Sequence, residues 1–294
     1  MLLIDKMKQC KFSNNERVIV DYILSQEEQI KNHSTKMIAD KTFTSPSSLI
    51  RIAHKLGFDG WNSFKEAYLQ ELIYMKSHFT NIDANVPFNT QDSFSIIANK
   101  ISKLQIESIE DTLFLMDQRK LKEAVQLLHK SESIKIFGAS NMIYLAQEFQ
   151  HKLGRINKLA STGILVDEIY FDAAKATQND CALLLSYSGE TKVTLEICKI
   201  LKKRNVPIIA ITSINQNSLT HYADVVLNIT TREKEYSKIA NFSSSTSITL
   251  LLDILYSCLF SLDYETNFHY KTQLSKEVES RYEIGNSIIA ERLE

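Results

Sequence analysis

Cys181-Ala182-Leu183-Leu184-Leu185-Ser186-Tyr187-Ser188-Gly189-Glu190-Thr191 is the stretch that decides the fold class. Five apolar residues in a row read as a fully buried strand, and 193–203 reads as the helix that follows it. The turn between them holds three hydroxyls and a glycine. Glycine lets backbone approach a ligand closely, hydroxyls donate hydrogen bonds, and a helix start presents free N–H groups and partial positive charge. That combination suits a phosphate ester. Glu190 has two readings, an acid/base group or a helix-start carboxylate that complements the dipole, and the second fits its place better.

The same rhythm extends on both sides. From Ser133 onward, short apolar runs at 134–137, 156–159, 182–186, 208–212 and 225–229 alternate with helix-length segments such as 143–153, 165–177 and 193–203. Short buried strands with helical crossovers predict a five-stranded, doubly wound parallel sheet with helices on both faces. Ligands then bind beyond the carboxyl ends of the strands, where strand order reverses. Gly138-Ala139-Ser140-Asn141 after the first strand and Ser186–Thr191 after the third meet there if those two strands are neighbours. Ser243-Ser244-Ser245 precedes a long apolar segment and reads as capping, with closure over a ligand as the other possibility.

The first 77 residues differ, with helical patterning throughout. Ser13-Asn14-Asn15-Glu16 has capping-box spacing, a helix over 35–41 should turn Met37 and Ile38 inward, and Ser45-Pro46 opens another that stops at Gly57. Helix, short turn at Thr42-Phe43-Thr44 and second helix make a helix-turn-helix pattern. Its outer face would present Ser47, Ser48, Arg51, His54 and Lys55, with Ser45 at the start, while Leu49, Ile50, Ile52 and Leu56 pack and Trp61 anchors the next helix. Arg51 suits bidentate guanine recognition. An ordinary helical bundle with a solvated face, or a protein-interaction module, fits the same spacing. Residues 78–92 lose periodicity and read as a linker, so the expected division is 1–77, linker 78–92, and 93–294.

Bulk properties set limits. The 294 residues allow two domains, and the net charge of −1 announces no polyanion partner. Locally, the window 31–65 carries six basic residues against two acidic ones, +4, which leaves −5 for the rest. A basic module on an acidic protein fits DNA contact by one part. The four cysteines and seven histidines have no metal-ligand spacing, so neither a zinc site, a disulfide framework nor any cofactor is expected, and a reducing cytoplasm is. The start of the chain is too short in apolar residues for a signal peptide, and 247–262, interrupted by Asp253, falls short of a bilayer span.

Two resemblances then narrow the alternatives. Ser34-Thr35-Lys36-Met37-Ile38-Ala39, Ser45-Pro46-Ser47-Ser48-Leu49-Ile50-Arg51 and Lys55-Leu56-Gly57-Phe58-Asp59-Gly60-Trp61 with Phe64-Lys65 resemble the helix-turn-helix domain of RpiR-type transcriptional regulators. Leu185 to Thr191, then Ala210-Ile211-Thr212-Ser213 followed by Ser218-Leu219 and Tyr222-Ala223-Asp224, then Leu251 to Tyr256 resemble that family's sugar isomerase (SIS) domain. The resemblance implies a cytoplasmic, dimeric regulator of sugar metabolism that binds double-stranded operator DNA and senses a phosphorylated sugar. Its ligand set would be Ser140, Asn141, Ser186, Ser188, Gly189, Glu190 and Thr191, with no catalytic residue. The alternative is a sugar-phosphate isomerase or lyase on the same fold. One departure stands out: the family's glycine-x-glycine-x-serine reads Gly138-Ala139-Ser140-Asn141-Met142 here. Either Ser140 takes over the hydroxyl role or this loop contributes less.

Overall fold

The computed structural model describes residues 3–78 and 82–279, so 79–81 of the predicted linker and 280–294 of the tail lie outside the described residues. The chain divides into two compact units. One gathers the chain up to Leu115 together with Ser213–Asn217 and Ile229–Ser244; the other gathers Met116–Thr212, Ser218–Asn228 and the chain from Ser245.

The first unit is helical: α1 (Leu3–Gln9), α2 (Asn14–Gln26), α3 (Thr35–Thr42), α4 (Pro46–Lys55), α5 (Trp61–His78) and α6 (Phe94–Leu115). Its core is formed by Ile19, Val20 and Ile23 of α2, Ile38 and Ala39 of α3, Leu49, Ile52 and Ala53 of α4, and Trp61, Phe64 and Tyr68 of α5. The α2 capping box forms as expected. The Glu16 N–H donates to Ser13 Oγ, and the Ser13 N–H donates to the Glu16 carboxylate at 2.9 Å. Lys55 adds its ammonium at 2.7 Å and, as the largest influence, holds the Glu16 carboxyl at about 2. Three local expectations need correction. Met37 and Ile50 are exposed because each helix presents only one face to a core that Ile38, Leu49 and Ile52 already fill. Ser45 stands at the N-cap of α4 without a side-chain capping bond; its hydroxyl pairs with those of Ser47 and Ser48 instead. α4 ends at Lys55 with Leu56 as its C-cap, and Gly57 just beyond takes a left-handed φ of +94°.

The second unit alternates strands and helices: α7 (Gln118–Lys130), β1 (Ile134–Gly138), α8 (Met142–Gly154), β2 (Ala160–Ser161), α9 (Val166–Lys175), β3 (Cys181–Leu185), α10 (Lys192–Lys203), β4 (Ile208–Ser213), β5 (Val225–Ile229), α11 (Phe242–Leu262) and α12 (Tyr264–Glu279). The sheet order is β2-β1-β3-β4-β5, with β1 parallel to both β2 and β3, and β3 parallel to β4. Ala182, Leu184, Ile197, Leu201, Ile208 and Ala210 lie in one continuous core beside Cys198, whose thiol is pushed up to about 12 by burial. The second strand was expected at 156–159 and lies at Ala160–Ser161. Residues 155–158 instead wrap the end of α8, where Asn157 has φ +56° and the Lys158 N–H donates to the Leu153 carbonyl.

α11 is 21 residues and, contrary to the sequence expectation, is long and apolar enough by length and composition to cross a membrane. Ile248, Leu251, Leu252, Leu255 and Leu259 are nonetheless buried in the fold, and Asp253 is salt-bridged to Lys152. That is the packing of a core helix with one buried face.

A hydroxyl-lined bend at the strand reversal and an exposed recognition helix

Strand order reverses between β1 and β3, the position at whose carboxyl ends such sheets bind ligands, and both predicted loops stand there. In the loop after β3, Ser186 is buried and its Oγ lies 3.1 Å from Thr191 Oγ1. The Gly189 N–H donates to Ser186 Oγ at 3.2 Å, and the Glu190 N–H donates to the exposed Ser188 Oγ at 3.2 Å. Gly189 has φ +68°, a left-handed conformation that L side chains resist. Thr191 is the N-cap of α10 yet makes no side-chain capping bond, and the first turn of α10 holds no acidic residue. The helix start is thus an open, partly positive end facing a pair of hydroxyls, suited to a dianion.

Glu190 lies outside that turn, one residue before the cap. Its carboxylate accepts the Ser218 N–H at 2.8 Å, and the Leu219 N–H donates to the Gly189 carbonyl at 3.0 Å. The expected complement to the helix dipole is therefore replaced by a brace on the loop from the other side. The resemblance marked Ser218-Leu219, but nothing in the sequence tied Ser218 to Glu190, because their partnership spans 28 residues.

The loop after β1 explains the departure from the glycine-x-glycine-x-serine pattern. A Cβ on Gly138 would meet Met142 Cβ at 2.9 Å, so the first glycine is required by close packing. Ser140 holds φ +57°, the left-handed backbone that a second glycine would adopt, and it is exposed. Met142, at the serine position, is buried in the start of α8. The Asn141 side chain donates to Ser245 Oγ at 3.4 Å, which brings the first turn of α11 to this loop. Ser243, Ser244 and Ser245 lie within that turn rather than ahead of it, and the capping group is Glu233, whose carboxylate accepts the Ser243 and Ser244 N–H groups at 2.7 and 2.9 Å. Glu233 went unnoticed because an acidic residue in Thr231-Arg232-Glu233-Lys234-Glu235 reads as a solvated loop.

On the helix-turn-helix unit, α3 and α4 flank a tight turn in which Phe43 takes φ +52° and stands almost wholly exposed. Ser45, Ser47, Arg51, His54 and Lys55 are exposed as expected; Ser48 is not. It is buried, and its Oγ accepts from Arg51 Nη2 at 3.0 Å, so it orients Arg51 rather than facing outward. His54 Nδ1 lies 3.0 Å from the Phe58 carbonyl, and Lys55 is engaged by Glu16. Arg51 and Ser47 remain exposed on the outer face of α4. Among the described residues, no cluster of three or more His, Cys, Asp or Glu is arranged to hold a metal ion.

An exposed helix-turn-helix joined to a parallel-sheet domain with a hydroxyl bend defines a class of two-part ligand-responsive DNA-binding proteins. Family profiles agree with each half: the helix-turn-helix domain of the rpiR family matches residues 1–73 and the SIS domain matches residues 127–258. The chain belongs to the rpiR-type helix-turn-helix regulators that carry a SIS domain. It is 27% identical over 280 residues to the uncharacterized HTH-type transcriptional regulator YbbH of Bacillus subtilis, covering 95% of this chain and 97% of that protein. It is 28% identical over 249 residues to an uncharacterized HTH-type transcriptional regulator of Haemophilus influenzae, covering 84% and 85%. Its fold is that of the Vibrio vulnificus NanR protein, solved in complex with ManNAc-6P, with a TM-score of 0.61 at 22% identity over 96% of this chain and 100% of that one.

Proposed function

We propose that the protein is a cytoplasmic, homodimeric transcriptional regulator of sugar metabolism whose DNA affinity is set by a phosphorylated sugar, and that it is not an enzyme. The observation that carries this reading is the uncapped start of α10 facing the Ser186–Thr191 hydroxyl pair. The phosphate sits on the hydroxyls of Ser186, Ser188 and Thr191 and on the N–H groups of Gly189 and Glu190, which exchange their Ser186 and Ser188 partners for the ligand. Ser140 and Asn141, across the strand reversal, meet the sugar hydroxyls. The solved complex of NanR with ManNAc-6P, on the same fold, supports a sugar phosphate as the ligand class. Glu190 supports the non-enzymatic reading, since its carboxylate is committed to the Ser218 backbone.

By function, residues 1–77 are the DNA-binding domain, 78–92 the linker and 93–294 the sensing domain, a division that differs from the compact units, since α6 groups with the first of those. Ser45, Ser47 and Arg51 approach double-stranded operator DNA, with Ser48 holding Arg51 and with His54 and Lys55 at the far end of the helix. Two such helices in a dimer match a palindromic site. A ligand changes DNA affinity only by binding the two arrangements of the dimer unequally.

Calorimetric titration of the full chain with a panel of sugar phosphates, and mobility-shift assays with and without the best of them, test this reading. Arg51→Ala should weaken operator binding by about 1–3 kcal/mol while leaving sugar-phosphate affinity unchanged. Turnover of an aldose or ketose phosphate by the protein would overturn the non-enzymatic part.

A further inference from the structure

The segment from Thr212 to Leu219, at the end of β4 and beyond it, is tied at both ends to the phosphate bend. At its start the buried Thr212 hydroxyl donates to the Tyr187 carbonyl at 3.4 Å. At its end the Ser218 N–H donates to the Glu190 carboxylate and the Leu219 N–H to the Gly189 carbonyl. Its middle is held by other groups. The Ile214 N–H donates to Thr231 Oγ1 at 3.0 Å, and Asn215, at a left-handed φ of +79°, donates from its side-chain amide to the Glu71 carboxylate at 2.9 Å. A carboxylate only accepts, so the amide nitrogen is the atom that faces it. Glu71, on α5, is buried, and its carboxylate also accepts the Leu3 and Ile4 N–H groups at the start of α1, at 2.6 and 2.7 Å. From α1, Lys6 donates to the carbonyl of Leu56, the C-cap of α4, at 2.7 Å. The segment is thus shared: Ser213–Asn217 belong to the helical unit and Ser218–Asn228 to the sheet unit.

We infer that this segment is the strap through which an anion in the bend acts on the helix-turn-helix, with Asn215 as the positioning residue that makes the connection. The inference rests on the phosphate-sensing reading of the bend and goes beyond it by naming the residues that carry the response. A phosphate that takes over the Gly189 and Glu190 N–H groups must reshape the loop whose Gly189 carbonyl and Glu190 carboxylate hold Leu219 and Ser218. Its charge also repels that carboxylate. Both effects loosen the strap at Ser218, three residues of backbone from Asn215. Coupling needs an element with two arrangements that both sites bias, and the Asn215–Glu71 contact, made or released, is that element. A buried carboxylate that loses a donor re-seats, because its remaining partners must then satisfy it. Among those partners are the Leu3 and Ile4 N–H groups, so the start of α1 moves with Glu71, and Lys6 carries the shift to the end of α4.

Hydrogen exchange of the full chain, read by mass spectrometry in inorganic phosphate against chloride of equal ionic strength, tests this. In the wild type, phosphate should slow exchange across residues 186–191. It should speed exchange at least about threefold at residues 214–219, in α1 and at the end of α4. Asn215→Gly keeps the left-handed turn and removes the amide, so a residue that served only the turn would show no effect. Asn215→Asp keeps the shape and sets a second carboxylate against Glu71. In both variants the slowing at residues 186–191 should stay within about twofold of wild type, while α1 and the end of α4 no longer respond to phosphate. Should Asn215→Asp unfold the helical unit, Asn215→Gly carries the test alone. A wild-type bend that phosphate leaves unprotected overturns both this inference and the phosphate reading of the bend. Protection of the bend without a response in α1 and α4, or a response that survives Asn215→Gly, overturns the strap alone.

Discussion

The starts of α2 and α10 are built from similar residues and do opposite things. At α2, Ser13 and Glu16 satisfy each other's backbone N–H groups, Lys55 neutralises the carboxylate, and nothing is left for a ligand. At α10, Thr191 withholds its side chain from the helix, Ser186 and Thr191 turn their hydroxyls to each other, and no carboxylate occupies the first turn. A helix start closed by its own side chains supports the fold, whereas one left open is available to an anion from outside.

Four changes would break or sharpen this contrast. The largest effect is expected from Ser186→Ala with Thr191→Val, which removes two hydrogen bonds to a charged group. Sugar-phosphate affinity measured by calorimetry should fall roughly 100-fold, about 3 kcal/mol, alongside a stability loss of about 1–3 kcal/mol because the buried Gly189 N–H loses Ser186 Oγ. At α2, Ser13→Ala should lower stability alone, by about 1 kcal/mol in denaturant titration, with ligand affinity unchanged. Thr191→Asp converts the open start into a closed one; thermal melts should show a gain of about 0.5 kcal/mol, and a phosphorylated sugar should no longer stabilise the protein. The fourth change is of pH. With its carboxyl held at about 2 against 4.5 in the unfolded chain, chiefly by Lys55, Glu16 adds stability that is complete above 4.5 and is lost as pH falls toward 2. Glu16→Gln should flatten that part of the acid limb, and an unchanged slope would mean that the capping box contributes nothing.

Much of this was legible from short-range pattern. The apolar runs before Gly138 and Ser186 marked β1 and β3, and Ser13-x-x-Glu16 marked α2, because strand burial and helix capping are decided within a few residues. The errors share another cause. Met37 and Ile50 are apolar but face solvent, since which side of a short helix meets the core depends on its neighbours. Ser48 reads as a surface hydroxyl and becomes a buried acceptor for Arg51. Arg232 and Glu233 lie in a charged loop that composition assigns to solvent, yet one holds α6 and the other caps α11.

By itself the sequence determined that this protein joins a helical unit to a parallel sheet with a phosphate-fitting bend, since periodicity, capping and turn chemistry are local properties of the chain, while the family resemblance marked the helical unit as a helix-turn-helix. Only the tertiary structure decided that β1 lies beside β3, that Ser140 takes a glycine's backbone, that Glu190 braces Ser218, and that Arg232 pairs with Glu107 and Asp111 of α6. Those outcomes depend on groups dozens of residues apart competing for the same space and the same hydrogen bonds, and that competition is settled only when the elements pack.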